Sequence, residues 1–144
     1  MPGWVNQGYE EYARRMPPEC SLQLIEIPLN KRSKNSDISR LINREGEQML
    51  ASIKKDNLVV AMEVTGKPWS TEQLADKMRD WMQSGRNIAL LVGGPEGLAP
   101  ACQKRADQKW SLSSLTLPHP LVRIVIAEQL YRAMSIIKHH PYHK

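Results

Sequence analysis

The chain has 144 residues, 41% hydrophobic and 24% charged, which is one domain's length and an ordinary folded composition, and that argues against disorder. Its longest apolar runs, at 58–62 and 88–92, are far too short to span a bilayer. A net charge of +5 admits an anionic partner such as RNA without establishing one.

Residues 1–4 show no basic segment leading into an apolar one, so no export signal is read. Cys20 and Cys102 have no metal or redox spacing and are expected as reduced thiols of a cytoplasmic protein. From 4 to 15, Trp4, Val5, Tyr9, Tyr12 and Ala13 recur at helical spacing until Pro17-Pro18. Residues 22–27 form a short apolar run stopped by Pro28, which predicts a strand. After a basic loop at 30–35, Ile38, Leu41, Ile42, Met49, Leu50 and Ile53 predict a long helix within 36–55. Residues 58–64 read as a buried strand.

Ser70 with Gln73 forms a capping box before Leu74, Ala75, Met78, Trp81 and Met82, and Gly85 is placed to stop that helix. A second apolar strand is predicted at 88–92. Residues 101–108 are compatible with a helix and 110–115 with a short strand. Pro118-His119-Pro120 then opens a helix from 121 to about 138, apolar nearly all round, which belongs in a core or a subunit interface. Apolar strands alternating with helices predict a single α/β domain with a mainly parallel sheet, whose ligands bind beyond the carboxyl ends of strands.

Four segments could carry chemistry. Gly93-Gly94-Pro95-Glu96-Gly97 follows a buried strand and reads either as a tight turn or as bare backbone facing a flat ligand. The run Leu112, Ser113, Ser114, Leu115, Thr116, Leu117 could wrap an adenine, with amides at the ring edge and leucines over its faces; otherwise it is a strand turning into a helix. The tail holds His139, His140, Tyr142, His143 and Lys144. A phenol, an imidazole and an ammonium without apolar filler argue against a merely frayed end, and Pro141 interrupts any histidine pair, so no metal is expected. Lys31, Arg32, Lys34, Lys54, Lys55, Lys104, Arg105 and Lys109 form either a solvated face or phosphate contacts.

Together, residues 35–50, Gly66-Lys67-Pro68-Trp69, Gly93-Gly94-Pro95-Glu96-Gly97-Leu98, residues 112–123 and 128–132, and the ending Pro141-Tyr142-His143-Lys144 closely resemble the RlmH family of small bacterial methyltransferases, of the SPOUT class. The likeness covers nearly the whole chain, with several motifs in the same order. It implies a single α/β-knot domain over 1–144, whose trefoil-knotted, cofactor-binding part spans about 58–144. The implied activity is transfer of a methyl group from S-adenosylmethionine to N3 of a pseudouridine in helix 69 of 23S ribosomal RNA, within the assembled ribosome, by a two-fold homodimer with no membrane or metal partner.

The resemblance carries the cofactor pocket onto Met62, Gly93, Leu112, Ser113, Ser114, Leu115, Thr116 and Leu117. Met62 stands where leucine is common, a volume-conserving exchange. It lays the tail of one subunit over the other's cofactor, with Tyr142 and His143 at the reacting centre, His143 as proposed base, Arg132 and Lys144 binding RNA or the developing anion, and His119 orienting. Lys144 stands where some relatives carry arginine, which puts a bidentate phosphate contact there in doubt. Family members begin with a short apolar strand that this sequence lacks, so a version extended upstream is expected to melt higher. Three other readings are a SPOUT enzyme with another RNA target, a non-enzymatic ribosome-binding factor on the same fold, and a dinucleotide-dependent oxidoreductase. The last is disfavoured by the missing glycine fingerprint.

Overall fold

The computed structural model describes residues 2–143 and contains two compact units, each built from separated stretches of chain. The first takes Met1–Leu24, Pro68–Gly85 and Leu115–Lys144; the second takes Ile25–Lys67 and Arg86–Ser114.

The first unit is helical. It contains α1 (Gly3–Ala13), a short turn of 3-10 helix at Pro18–Cys20, α3 (Thr71–Ser84) and α5 (His119–Ile137). Helix α5 packs on both α1 and α3. Val5 and Tyr9 of α1, Leu74, Ala75, Met78 and Trp81 of α3, and Ile126, Ala127, Leu130, Ala133 and Met134 of α5 are its buried apolar set. The expected capping box of α3 is present: Ser70 Oγ accepts the Gln73 amide at 3.1 Å, and Gln73 Oε1 accepts the Ser70 amide at 2.8 Å. Gly85 ends α3 in the left-handed region at φ 70°, where a side chain would be strained.

Helix α5 begins at His119, with Pro120 in its first turn, where the missing amide costs nothing. It ends in a Schellman closure. The His140 amide donates to the Ser135 carbonyl at 2.8 Å and the His139 amide to Ile136 at 3.2 Å, while His139 itself sits at φ 55°. That closure turns the chain back, and Pro141 prevents the helix from resuming.

The second unit carries the sheet: β1 (Leu58–Pro68), β2 (Ile88–Val92) and β3 (Gln108–Ser111) in the order β2-β1-β3, with α2 (Ile38–Ala51) and α4 (Pro100–Arg105). Strands β1 and β2 pair in parallel, Leu58 opposite Ile88 through to Met62 opposite Val92. Val59, Ala61, Leu91, Leu98, Ala99 and Cys102 form one buried cluster, covered by Ile42, Met49, Leu50 and Ile53 of and after α2. The α2–α4 approach is close: a Cβ on Gly46 would lie 2.5 Å from that of Ala99.

Two sequence expectations are corrected. Residues 22–27 are not a strand: no strand among the described residues pairs with them, and Leu24 and Ile25 are 40% and 55% exposed. An extended apolar run becomes a strand only when its amides and carbonyls meet a second edge. The strand expected at 110–115 lies earlier, at Gln108–Ser111, because the Ser111 hydroxyl bonds the Ser113 carbonyl at 3.0 Å and breaks the extended path there. No helix among the described residues is long and apolar enough to cross a membrane.

Candidate active site

In the second unit, the register places Met62 beside Val92, the residue before Gly93, so both lie where β2 ends. The glycine loop itself is a tight turn. The Gly97 amide donates to the Gly94 carbonyl at 3.0 Å, Pro95 and Glu96 occupy the corner, and Gly97 has φ 88°. Gly93 is required for space: an added Cβ would meet the Gly97 carbonyl carbon at 2.5 Å and the Leu98 nitrogen at 2.7 Å.

A charge network fastens this turn. Arg32 Nη1 bonds the Asn30 carbonyl at 2.8 Å and a Glu45 oxygen; Nη2 bonds Glu45 Oε1 at 2.8 Å and Glu96 Oε1 at 2.7 Å. The Asn30 amide also donates to Glu45 at 2.9 Å. Hydrogen bonds from Arg32 hold both carboxyls below their usual range, and the two carboxylates raise Arg32 in turn.

Three cations of the basic set thus have partners within the chain. Arg32 is held as described. Arg105 reaches Asp107 at 3.2 Å and the Asn57 carbonyl at 2.9 Å, and Lys109 reaches Glu63 at 3.9 Å. Lys31, Lys34, Lys54, Lys55 and Lys104 are exposed.

Past β3, Leu112, Ser113 and Ser114 continue irregularly, and Leu115, Thr116 and Leu117 follow without regular structure. Ser114, Thr116 and Leu117 make no hydrogen bond with another described residue, and Leu115 is 71% exposed. Backbone donors and acceptors beside leucines are the partner set a purine edge and face need, so the residues fit a nucleoside-type cofactor. Buried Ser111, which holds the bend at 111–113, was not foreseen; its only sequence sign was its place before Leu112-Ser113-Ser114.

In the first unit the tail is ordered against α5 and α3. The Tyr142 hydroxyl donates to Glu128 Oε2 at 2.8 Å, and its ring meets Tyr131 edge-on, centroids 4.6 Å apart. The Arg132 guanidinium lies 4.9 Å from the Tyr142 ring centroid and pairs with Glu128 at 2.7 Å. Burial first, then the Glu128 carboxylate, pushes the Tyr142 phenol up to about 12, so it is neutral at physiological pH.

His143 Nε2 stands 3.5 Å from Glu72 Oε1 at the start of α3. Its Nδ1 is buried without a hydrogen-bond partner among the described residues. Tyr142, His143 and Arg132 are therefore gathered in one region. His119 is not with them: nine helical residues, about 14 Å, separate it from Glu128 along α5. Lys144 lies outside the described residues. The carboxylates Glu128 and Glu72 were missed as site residues. For Glu128 the sequence held a sign, its i,i+4 spacing to Arg132.

A family model described as predicted SPOUT methyltransferase matches residues 1–143. The chain is 56% identical over 144 residues to the ribosomal RNA large subunit methyltransferase H of Marinomonas sp. (strain MWYL1), covering 100% of this chain and 93% of that protein.

Proposed function

The chain belongs to the SPOUT methyltransferase family, and from that premise we propose that it methylates ribosomal RNA of the large subunit. S-adenosylmethionine is the proposed donor, and N3 of a pseudouridine in helix 69 of 23S rRNA, within the assembled ribosome, is the proposed acceptor. The full-length likeness to a large-subunit rRNA methyltransferase supports the class of substrate. The observation in the molecule that carries the reading is the ordered tail, where Tyr142, Arg132 and His143 converge.

N3 carries a proton and is a poor nucleophile until that proton leaves. S-adenosylmethionine supplies, when bound, a methyl group on a positively charged sulfur that departs as a neutral thioether. Met62, Gly93, Leu112, Ser113 and Ser114, with Leu115, Thr116 and Leu117 next along the chain, are the residues proposed to hold it. His143 is the proposed proton acceptor: a buried ring nitrogen without a partner is an unused lone pair when the imidazole is neutral. Tyr142 acts as a neutral packing surface, its one hydroxyl proton given to Glu128. Arg132 faces the charge that develops on the deprotonated ring.

His119 has an orienting role in this reading, and Lys144 and the exposed lysines contact phosphate. The working unit is a homodimer, the tail of one copy covering the cofactor of the other. The breadth of apolar surface on α5, with Leu121 at 42% exposure, supports an interface role. The knotted path of about 58–144 is part of the same proposal.

Methyl transfer from labelled S-adenosylmethionine to ribosomes lacking the modification, beside ribosomes lacking the pseudouridine, tests it. Label in 23S rRNA from the first substrate alone is expected. Label from both substrates means another nucleotide is the target. Tight cofactor binding without transfer overturns the acceptor, and no cofactor binding favours a ribosome-binding factor.

A further inference from the structure

Among the described residues of the first unit, Glu128 gathers three partners, Tyr142, Arg132 and Gln129. Its Oε2 accepts the Tyr142 hydroxyl at 2.8 Å and Arg132 Nε at 3.0 Å. Its Oε1 accepts Gln129 Nε2 at 2.8 Å, and Gln129 Oε1 in turn accepts the Thr71 hydroxyl of α3 at 2.9 Å. The Glu128 side chain is 17% exposed and that of Arg132 32%. A single carboxylate thus joins the returning tail to α5 and fixes the guanidinium beside the phenol ring. Arg132 Nη1 makes no hydrogen bond with the described residues, so the pairing leaves one end of the guanidinium available.

We propose that Glu128 is a positioning residue for methyl transfer: it locks the Tyr142 phenol and the Arg132 guanidinium into one orientation, so that ordering of the tail depends on this carboxylate. The inference rests on the proposed function for its catalytic half. Its structural half stands on the contacts alone. A flexible tail would have to be ordered anew at each turnover, and loss of pre-set orientation appears in kcat rather than in cofactor affinity. The charge of Arg132 balances that of Glu128, so the anion needs no external counter-charge.

Two readouts on Glu128→Gln test it. In methyl transfer, kcat falls by roughly tenfold or more while KM for S-adenosylmethionine stays within about twofold. In ring-labelled tyrosine NMR, the resonance that Tyr142→Phe removes titrates at lower pH in the variant, because the anion that holds the phenol up is gone. Tyr12 and Arg132 are the other titratable groups acting on that phenol. Glu19→Gln, which ends the Lys138 pair beyond the helix, is the control and leaves both readouts unchanged.

An unmoved Tyr142 titration overturns the inference, and so does a moved titration with wild-type kcat. If Glu128→Gln does not fold, Glu128→Asp keeps the charge on a shorter arm, and an intermediate kcat is expected; full activity overturns the proposal. A wild-type protein inactive on every ribosomal substrate overturns the proposed function and the catalytic half with it. The titration, which needs no RNA, still decides whether Glu128 holds the tail.

Discussion

The Gly93 turn and the C-terminal tail are both short irregular segments fastened by a carboxylate and an arginine, yet their stoichiometry is opposite. At the turn one cation, Arg32, is divided between two carboxylates, Glu45 and Glu96, and a backbone carbonyl. At the tail one carboxylate, Glu128, serves a cation and a phenol, while Arg132 Nη1 and His143 Nδ1 have no partner among the described residues. All three nitrogens of Arg32 have acceptors, so that guanidinium is a staple, although the Asn30 Nδ2 beside it is buried without a partner among the described residues; a guanidinium with an unengaged nitrogen can meet a substrate. Damage to the first should appear as lost stability, and damage to the second as lost turnover.

The largest effect is expected at the open end of the tail. Arg132→Ala should lower kcat by about 10²–10³-fold, as loss of one preorganised charge-stabilising donor does. Its melting temperature should fall less than that of a variant at the turn: Glu128 loses its counter-charge but keeps the Tyr142 and Gln129 donors. His143→Ala should cost about 10²-fold in kcat. Single-turnover methylation beside thermal melting checks both, and normal turnover in the histidine variant removes His143 from the mechanism. A large drop in melting temperature for either variant would break the contrast.

The closed end gives the converse. Gly93→Ala forces a methyl group against the Gly97 backbone and should cost about 2–3 kcal/mol of stability, read by denaturant unfolding. Arg32→Ala should destabilise in a pH-dependent way. Both glutamates are held below their usual 4.5 by Arg32, so their contribution is complete above 4.5 and is lost as pH falls through the lower folded values. The wild type should therefore lose stability below about pH 4.5 more steeply than Arg32→Ala, whose carboxyls titrate nearer their unfolded values. Parallel acid profiles would show that the network carries no linkage.

What the sequence made legible follows from how local each interaction is. The Ser70–Gln73 box and the Gly85 stop are contained within one helix and its ends, so α3 was readable to the residue. Pro118 and Pro120 marked the start of α5 for the same reason. The run at 22–27 was misread because a strand depends on a partner edge that no local pattern encodes. The carboxylate partners of two of the basic residues were not legible, because Arg32 meets Glu96 across 64 positions and Lys109 meets Glu63 across the sheet. In the tail the residue types were visible, and only the family resemblance, no local pattern, implied their convergence. It depends on the Schellman closure at His139, where a histidine takes the φ usually given to glycine, and this returns Tyr142 to Glu128.

The smallest effect is expected where the two regions are most alike, at a hydrogen bond to a carboxylate. Tyr142→Phe keeps the ring against Tyr131 and Arg132 and removes one donor to Glu128, which still has Arg132 and Gln129. The cost at neutral pH should be about 1 kcal/mol of stability, with a loss of kcat smaller than that of Arg132→Ala. The sign reverses the acid case. The phenol is raised from 10.0 to about 12, so its contribution is present below 10 and is lost as pH climbs toward 12. Alkaline unfolding should therefore converge for wild type and Tyr142→Phe as pH approaches 12. The kcat profile between about pH 6 and 9 should keep its shape, because no phenolate forms there. A tyrosine acting as the base would instead flatten that profile in the variant, and the tail's open valence would then lie on the phenol rather than on His143.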